Sequence, residues 1–210
     1  MLTSEELIEA LRRMDELIPN AASELQFDDP FHLLIAVILS AQTTDKAVNA
    51  LAPALFERFP TAEAMAAVEP AEIEPYIQSI GLFRNKAKFL SGTARKIAYD
   101  FHGEVPHTRK ELESLPGVGR KTASVVLSVA FDQPAIAVDT HVERVAKRLK
   151  IVPENATPRQ VENILMEKLP EKMWSHAHQL LVLFGRYYCT AHSEACASFI
   201  DYEDVVAQYE

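Results

Sequence analysis

The sequence predicts an all-α fold with roughly ten helices, and two observations lead to that prediction. Apolar residues recur at the three- and four-residue spacing of an amphipathic helix along most of the 210-residue chain. No segment shows a convincing β-strand alternation, and prolines stand close to the expected helix starts. Hydrophobic residues make up 48% of the chain and charged residues 24%, which is typical of a globular protein with a buried core.

The first helices have recognisable N-terminal signals. Residues 3–6 have the spacing of a capping box, and apolar residues follow at helical spacing as far as Leu17. Pro19 ends this helix. Asp29 and Pro30 begin the next one, which is apolar nearly all round and is therefore expected to be buried. Further helix starts are marked by Pro60, Pro70 and Pro106.

Residues 115–123 are the most informative segment, because two of the six glycines, Gly117 and Gly119, stand there between two expected helices. Glycine allows a positive φ and the close approach of another backbone. The free N–H groups of such a turn, together with the N-terminus of a helix over residues 121–131, suit a phosphate group. The pattern predicts a helix-hairpin-helix, which holds a nucleic-acid backbone without reading its sequence.

The last third of the chain continues the helical pattern. Residues 140–143 have the spacing of a second capping box, with Thr140 as the cap, and predict a helix that ends near Lys150. Pro158, Pro170 and the region around Tyr188 mark the remaining helix boundaries.

The distribution of charge favours a nucleic-acid partner, although the net charge of −9 does not. Residues 79–150 contain 13 Lys and Arg against 7 Asp and Glu, whereas the rest of the chain contains 8 against 23. The basic segment is the one that contains the hairpin. A local positive surface on an otherwise acidic protein is typical of a DNA groove, although a window of this length can also deviate by chance.

Several protein classes are excluded. The longest apolar run, residues 31–39, is too short to cross a bilayer. Acidic residues follow the start directly, so no signal peptide is expected. Two cysteines without a secretory segment indicate a reducing cytosol and not a disulfide scaffold. We therefore expect a cytoplasmic protein, associated with the nucleoid if its source is bacterial.

Five motifs occur in an order that resembles the endonuclease III family of DNA glycosylases/lyases. They read Leu39-Ser40-Ala41-Gln42-Thr43-Thr44-Asp45, Ile80-Gly81-Leu82-Phe83-Arg84-Asn85-Lys86-Ala87, Leu115-Pro116-Gly117-Val118-Gly119-Arg120-Lys121-Thr122-Ala123, Val138-Asp139-Thr140-His141 and Phe184-Gly185-Arg186-Tyr187. The hairpin alone is not specific, since non-enzymatic DNA-binding proteins use it too. The resemblance implies a six-helix lobe at residues 24–133, a second lobe of residues 1–23 with 134–210, and an active cleft between them.

The resemblance implies that Lys121 is the nucleophile and Asp139 its electrostatic partner. The positive end of a helix dipole favours a neutral amine, which can attack C1′ of a flipped nucleotide and form a Schiff base. A carboxylate can stabilise the oxocarbenium charge and help to deprotonate the amine. The alternatives are a phosphate-contacting cation for Lys121 and a helix N-cap for Asp139.

Other residues match family positions that contact DNA or line the substrate pocket. Gln42 and Leu82 would fill the gap that a flipped nucleotide leaves in the stack. The DNA contacts implied are Gln42, Leu82, Arg84, Lys86, Gly117, Val118, Gly119, Arg120 and His141, and the pocket residues are Ser40, Glu113 and Thr140. For each one alone, a packing, capping or surface role is the alternative.

The resemblance fails at the C-terminus, where the family commonly has four cysteines, spaced C-x6-C-x2-C-x5-C, that bind an iron–sulfur cluster. Cys189 and Cys196 keep the first spacing, but Phe199 and Val205 stand at the other two positions. Two thiolates cannot complete such a cluster, so we expect no metal and no cofactor.

The resulting hypothesis is a bifunctional DNA glycosylase/AP lyase that acts on oxidised pyrimidines in double-stranded DNA, as a monomer and away from membranes. One alternative is a non-catalytic or weakly active helix-hairpin-helix DNA-binding protein. Another is a monofunctional glycosylase of the same superfamily, which Lys121 disfavours because relatives without lyase activity usually lack that lysine.

Overall fold

The computed structural model describes residues 1–192 and residue 196. Over these residues it contains eleven α-helices, one short 3-10 helix and no strand, which confirms the all-α prediction. The helices are α1 (Ser4–Leu17), α2 (Pro30–Leu39), α3 (Asp45–Arg58), α4 (Ala62–Ala66), α5 (Pro70–Ile77), α6 (Phe83–Asp100), α7 (Arg109–Glu113), α8 (Arg120–Ala130), α9 (Thr140–Arg148), α10 (Pro158–Lys168), the 3-10 helix Glu171–Met173 and α11 (Trp174–Tyr187). Within the described residues, no helix is both long and apolar enough to span a membrane.

The chain divides into two compact units. The central unit is Ser23–Gln133, and the terminal unit combines Met1–Ala22 with Pro134–Glu210. The family resemblance implied six helices in the first of these, but the structure has seven there, from α2 to α8, of which α4 and α7 contain five residues each.

The central unit is built around α2. Asp29 caps this helix by accepting a hydrogen bond from the His32 N–H, and Pro30 occupies its first turn, as predicted. All residues from 31 to 39 are buried, because α2 packs against α3, α6 and α8. Helix α6 also packs against α4 and α5, so one long helix contacts most of this unit.

The terminal unit packs α1 and α9 against α11. The predicted capping box of α1 is present, with Thr3 and Glu6 as reciprocal partners. The predicted cap of α9 was wrong by one residue: Asp139, not Thr140, is the N-cap. Both residue types cap helices well. Here the aspartate is the cap, and its side chain accepts hydrogen bonds from two backbone N–H groups.

The two cysteines, Cys189 and Cys196, are both buried and are joined by a disulfide. This pairing corrects the expectation, drawn from the low cysteine count, that disulfides play no part in the fold. The guanidinium of Arg148 donates to the backbone oxygens of Thr190 and Ala191 and so fixes the chain that follows Cys189.

Candidate nucleic-acid interface

The hairpin between α7 and α8 contains two glycines that differ in what the fold requires of them. Gly117 has φ +75°, and a Cβ placed there would lie 2.9 Å from the Cβ of Phe89. A side chain at this position is therefore excluded by both backbone and space. Gly119 has φ −98°, and a Cβ there would meet open space. The fold requires the first glycine, whereas the second leaves a surface open for something else.

The open surface at Gly119 is the N-terminus of α8. Gly119 is the N-cap and has no side chain with which to cap the first N–H groups of the helix. These N–H groups and the positive end of the helix dipole suit an anion. Lys121, in the first turn of α8, is exposed. Arg120 is half-buried and its carbonyl accepts a hydrogen bond from Arg109, while Val118 is buried and anchors the turn.

Helix α6 supports this hairpin along one face. Phe89 packs on Gly117, and the next turn of α6 contacts Pro116, since a Cβ added at Gly92 would lie 3.0 Å from its Cγ. The buried Thr93 hydroxyl donates to the Pro116 carbonyl at 2.7 Å. One turn further, the Lys96 ammonium donates to the Ser114 carbonyl at 3.0 Å. Helix α6 therefore holds the hairpin backbone from one side, and the opposite side of the hairpin does not take part in these contacts.

The turn after α2 presents Gln42. The N–H of Thr43 donates to the Ser40 carbonyl at 3.1 Å, and Gln42 lies between them, exposed and with φ +54°. This left-handed backbone costs about 1–2 kcal/mol for a residue with a Cβ. The Ser40 hydroxyl is half-buried and donates to the Val37 carbonyl. Ser40 therefore shapes the turn, and Gln42 is held outward in a strained conformation.

Leu82 has the same combination of strain and exposure. It is the N-cap residue of α6, with φ +59° and ψ +24°, and its side chain is 56% exposed. A Cβ at the preceding Gly81 would meet no protein atom. An apolar side chain that is exposed in a strained backbone beside an open glycine has no evident packing role, and such strain is common where a ligand is contacted.

The cations of α6 divide into exposed and buried ones. Arg84 is exposed, and its guanidinium lies over the Phe83 ring, 5.2 Å from the centroid. Lys86 is only 4% exposed, and its ammonium donates to the Leu39 carbonyl at 2.9 Å and to the Thr43 hydroxyl at 2.7 Å. Burial lowers the pKa of Lys86. The ammonium of Lys86 is therefore engaged inside the central unit, and the predicted contact of Lys86 with DNA stays a prediction that this burial does not favour.

Glu113, the last residue of α7, is an exposed side chain near the hairpin. Its carboxylate lies 3.6 Å from the guanidinium of Arg109 on the same helix. An exposed pair of this kind contributes little stability. The position leaves Glu113 available to solvent or to a ligand.

Asp139, in the terminal unit, is half-buried, and its two carboxylate oxygens differ in their hydrogen bonds. Its Oδ1 accepts hydrogen bonds from the N–H groups of His141 and Val142, both at 2.9 Å. Among the described residues, none donates a hydrogen bond to Oδ2. One oxygen caps α9, and the cap does not use the other, so capping and a second role of Asp139 are compatible. Thr140, beside it, is exposed.

Two residues that the sequence analysis did not assign hold His141 in place. The Nη2 of Arg144 lies 3.0 Å from Nδ1 of His141, and the same guanidinium donates to the carbonyls of Gly185 and Cys189. Burial, and then the neighbouring Arg148, lower the pKa of Arg144, while Asp139 raises it. A Cβ at Gly185 would lie 2.8 Å from the Cβ of His141.

Sequence spacing contained a signal for one of these two residues. Arg144 stands three residues after His141 on α9, the spacing at which helical side chains meet. Because guanidinium has no acceptor, Nδ1 of His141 must accept the hydrogen bond, and the ring then presents Nε2 as a donor. No local pattern marks Gly185, since its role depends on the approach of α11 to α9.

The hairpin and the turns around it are matched by a known family. A model of the HhH-GPD superfamily, described as base excision DNA repair protein, matches residues 35–171, which is more than half of the chain. The match includes the second half of α2, the hairpin and α9.

Individual relatives narrow the assignment. Endonuclease III of Bacillus subtilis (strain 168) is 48% identical over 94% of this chain and 90% of the relative. Endonuclease III of Escherichia coli (strain K12) is 44% identical over 92% of this chain and 91% of the relative. The solved structure of a trapped endonuclease III–DNA covalent intermediate matches with a TM-score of 0.90 at 48% identity, over 94% of this chain and 93% of that one. The chain therefore belongs to the endonuclease III family of the HhH-GPD superfamily and is a base excision repair enzyme.

The iron–sulfur cluster that the family resemblance implies does not fit the cysteines present. A cluster of that type is held by four thiolates, whereas Cys189 and Cys196 are bonded to each other. The guanidinium of Arg148 lies 3.8 Å from both sulfurs. In the part of the chain that the structure describes, no group of three or more His, Cys, Asp and Glu could hold a metal ion. Phe199 and Val205, at the other two family positions, lie outside the described residues.

Proposed function

We propose that the chain is a DNA N-glycosylase with AP lyase activity that removes oxidised pyrimidines from duplex DNA. The observation that supports this best is Lys121, an exposed amine in the first turn of α8, two residues after Gly119, where an added Cβ would meet open space. An endonuclease III relative of this fold has been trapped as a covalent intermediate with DNA, which is what an amine nucleophile would produce.

In the proposed reaction, the lone pair of the Lys121 amine forms a bond to C1′ of the target nucleotide. The bond from C1′ to the base breaks, and the base leaves with the bonding electrons and takes up a proton. Opening of the sugar ring at O4′ gives a Schiff base. Loss of a proton from C2′ then expels the 3′ phosphate by β-elimination. This sequence needs no redox partner and no metal.

Asp139 is proposed to stabilise the positive charge that develops at C1′ and to help remove the proton from the attacking amine. Its Oδ1 is occupied by the cap of α9, so Oδ2 is the oxygen assigned to this role. His141 presents Nε2–H as a donor for a phosphate or sugar oxygen. Ser40, Glu113 and Thr140 are proposed to line the base pocket.

DNA is proposed to be held by backbone groups at Gly117 and Gly119 and by the nearby cations Arg84 and Arg120. Gln42 and Leu82 are proposed to enter the stack when the target nucleotide leaves it. Both are exposed and held in a left-handed backbone, which fits residues that are positioned before DNA arrives.

We propose that the enzyme works as a monomer without an iron–sulfur cluster, in the cytoplasm and at the nucleoid if its source is bacterial. The cysteine count supports the cofactor proposal, because Cys189 and Cys196 are the two cysteines of the chain and such a cluster is held by four thiolates. Iron and acid-labile sulfide should be far below one cluster per chain after anaerobic purification. Stoichiometric amounts of both, with activity lost on their removal, would contradict it.

The central test is borohydride trapping on a duplex with an abasic site. Wild-type protein should give a covalent adduct and a cleaved strand, and Lys121→Ala should reduce both by about 10³-fold or more while leaving DNA binding intact. Lys110→Ala, at an exposed lysine of α7, is the matched control and should trap normally.

Each other result would point to a different activity or nucleophile for this chain. Base excision without strand cleavage by the wild type would indicate a monofunctional glycosylase. Binding without either reaction would indicate a non-catalytic DNA-binding protein. Trapping by Lys121→Ala at the wild-type rate would show that another amine is the nucleophile.

A further inference from the structure

Lys86 is a buried lysine whose hydrogen bonds go to the segment that presents Gln42. Its Nζ donates to the carbonyl of Leu39, the last residue of α2, and to the hydroxyl of Thr43. Leu39 and Thr43 lie on either side of the Ser40–Gln42 turn. The ammonium therefore bridges the base of that turn.

A buried ammonium is costly unless its environment compensates for lost water. Here both acceptors are neutral oxygens, and the carbonyl lies at the C-terminus of α2, where the helix dipole is negative. The environment compensates only in part, since burial still lowers the pKa of Lys86. An apolar side chain of the same length would fill the space without this cost, so packing alone does not explain the lysine.

The backbone of Lys86 forms a hydrogen bond with Leu82, which, like Gln42, is exposed and has a left-handed backbone. The N–H of Lys86 donates to the carbonyl of Leu82 at 3.0 Å, which is the first helical hydrogen bond of α6. The same residue thus holds Leu82 through its backbone and the Gln42 turn through its side chain. Leu82 and Gln42 both have a positive φ, +59° and +54°, and such conformations persist only when their surroundings hold them.

We infer that Lys86 is a positioning residue that fixes the Gln42 turn relative to Leu82, so that both side chains enter the DNA stack together. Lys86 itself touches neither DNA nor the reacting atoms. The inference rests on the proposed function, because it assumes that a nucleotide leaves the stack. It predicts that loss of the ammonium impairs extrusion of the nucleotide and spares the chemistry at Lys121.

The test uses Lys86→Met, which keeps the length of the side chain and the backbone hydrogen bond to Leu82 but removes the two hydrogen bonds of the ammonium. Two substrates separate extrusion from chemistry: a duplex with one thymine glycol, and a single strand with one abasic site, which needs no extrusion. Excision from the duplex in single turnover should slow by about tenfold, since a small displacement of positioning groups has effects of that size. Borohydride trapping on the single strand should stay within about twofold of the wild type.

A readout that does not depend on chemistry accompanies these rates. 2-Aminopurine placed next to the lesion should brighten when wild-type protein unstacks the duplex, and brighten less with Lys86→Met. Thr43→Val removes one of the two acceptors and should shift rate and fluorescence in the same direction by a smaller factor. Lys88→Met, at the exposed lysine two residues later on α6, is the matched control and should leave fluorescence and trapping unchanged.

The outcomes distinguish the inference from the proposed function. An equal loss on both substrates, in proportion to the loss of folded protein, would mean that Lys86 is only structural and would overturn the inference. Normal excision and normal fluorescence with Lys86→Met would overturn it as well. Failure of the wild type to form an adduct on either substrate would instead contradict the proposed function, and the fluorescence comparison would still decide the role of Lys86.

Discussion

The hairpin region of the central unit and the start of α9 in the terminal unit place their candidate residues in opposite ways. Around the hairpin, the side chains of Gln42, Leu82 and Lys121 are exposed. Residues of helix α6 donate hydrogen bonds to the backbone of the hairpin and of the Gln42 turn. At the start of α9, Asp139 is itself the helix cap, and His141 is tied to Arg144.

This difference separates two ways of building a site. In the hairpin region, Thr93 and Lys86 hold the backbone through hydrogen bonds, while the exposed residues remain available for a ligand. At α9, the same carboxylate carries both duties. Substitutions near the hairpin should therefore change stability and activity independently of each other, whereas substitutions at α9 should lower both together unless the cap is preserved.

Among the variants that test this comparison, the largest effect is expected for Asp139→Asn, on the α9 side. Asparagine caps helices as well as aspartate does, so the melting temperature should change little. The loss of the negative charge should slow base excision by about 10²-fold or more, the scale for one electrostatic stabiliser. Single-turnover excision and thermal unfolding are the measurements.

Two further variants sharpen the Asp139 result. Asp139→Ala removes the cap as well and should cost about 1 kcal/mol more stability than Asp139→Asn. Asp132→Asn, at an exposed residue with φ +50° that asparagine tolerates, should change neither quantity. Normal turnover by Asp139→Asn would leave Asp139 with a capping role alone.

The two hairpin glycines provide the next largest effect, because the fold requires only one of them. Gly117→Ala should lower the free energy of unfolding by about 1–2 kcal/mol for the positive φ, with an added clash against Phe89. Gly119→Ala should cost about 0.5–1 kcal/mol, since alanine is a poor N-cap.

DNA affinity should separate the glycines more sharply. At Gly119 the added methyl points into open space, where a phosphate is proposed to bind, so the dissociation constant should rise by about tenfold without a clash inside the protein. Fluorescence anisotropy with a duplex that contains an abasic-site analogue measures this. Unchanged affinity for Gly119→Ala would mean that DNA does not approach this helix end closely.

Much of the fold was predictable because its signals are local. The capping box at Thr3 and the pair Asp29-Pro30 each mark a helix start within a few residues, and both were confirmed. Asp139 and Thr140 are adjacent residues that both cap helices well. Which of them is the N-cap of α9 depends on side-chain geometry, which sequence spacing does not contain.

The parts that were not predictable depend on contacts between distant segments. Lys86 was expected to contact DNA because it matches a family position, yet the partners of its ammonium lie 47 and 43 residues earlier. The two hairpin glycines are alike in sequence, and they are distinguished by their φ angles and by the position of Phe89 on α6, next to Gly117. Pairing of Cys189 with Cys196 depends on the close approach of their Cα atoms, 5.3 Å apart, which a cysteine count does not contain.

The smallest effect is expected at Leu82, where stability and activity should change in opposite directions. Leu82→Gly removes the Cβ that makes a φ of +59° costly, so the free energy of unfolding should rise by about 0.5–1 kcal/mol after the entropic cost of glycine. The same change removes the apolar plug, so excision from duplex DNA should slow by roughly tenfold. Leu82→Ala is the matched control, because it loses the plug and keeps the strain. Both variants should therefore lose activity alike, and only the glycine variant should gain stability in thermal and denaturant unfolding. If Leu82→Gly is no more stable than Leu82→Ala, the left-handed backbone at this position is not strained. If both excise normally, Leu82 does not enter the DNA stack, and its exposure needs another explanation.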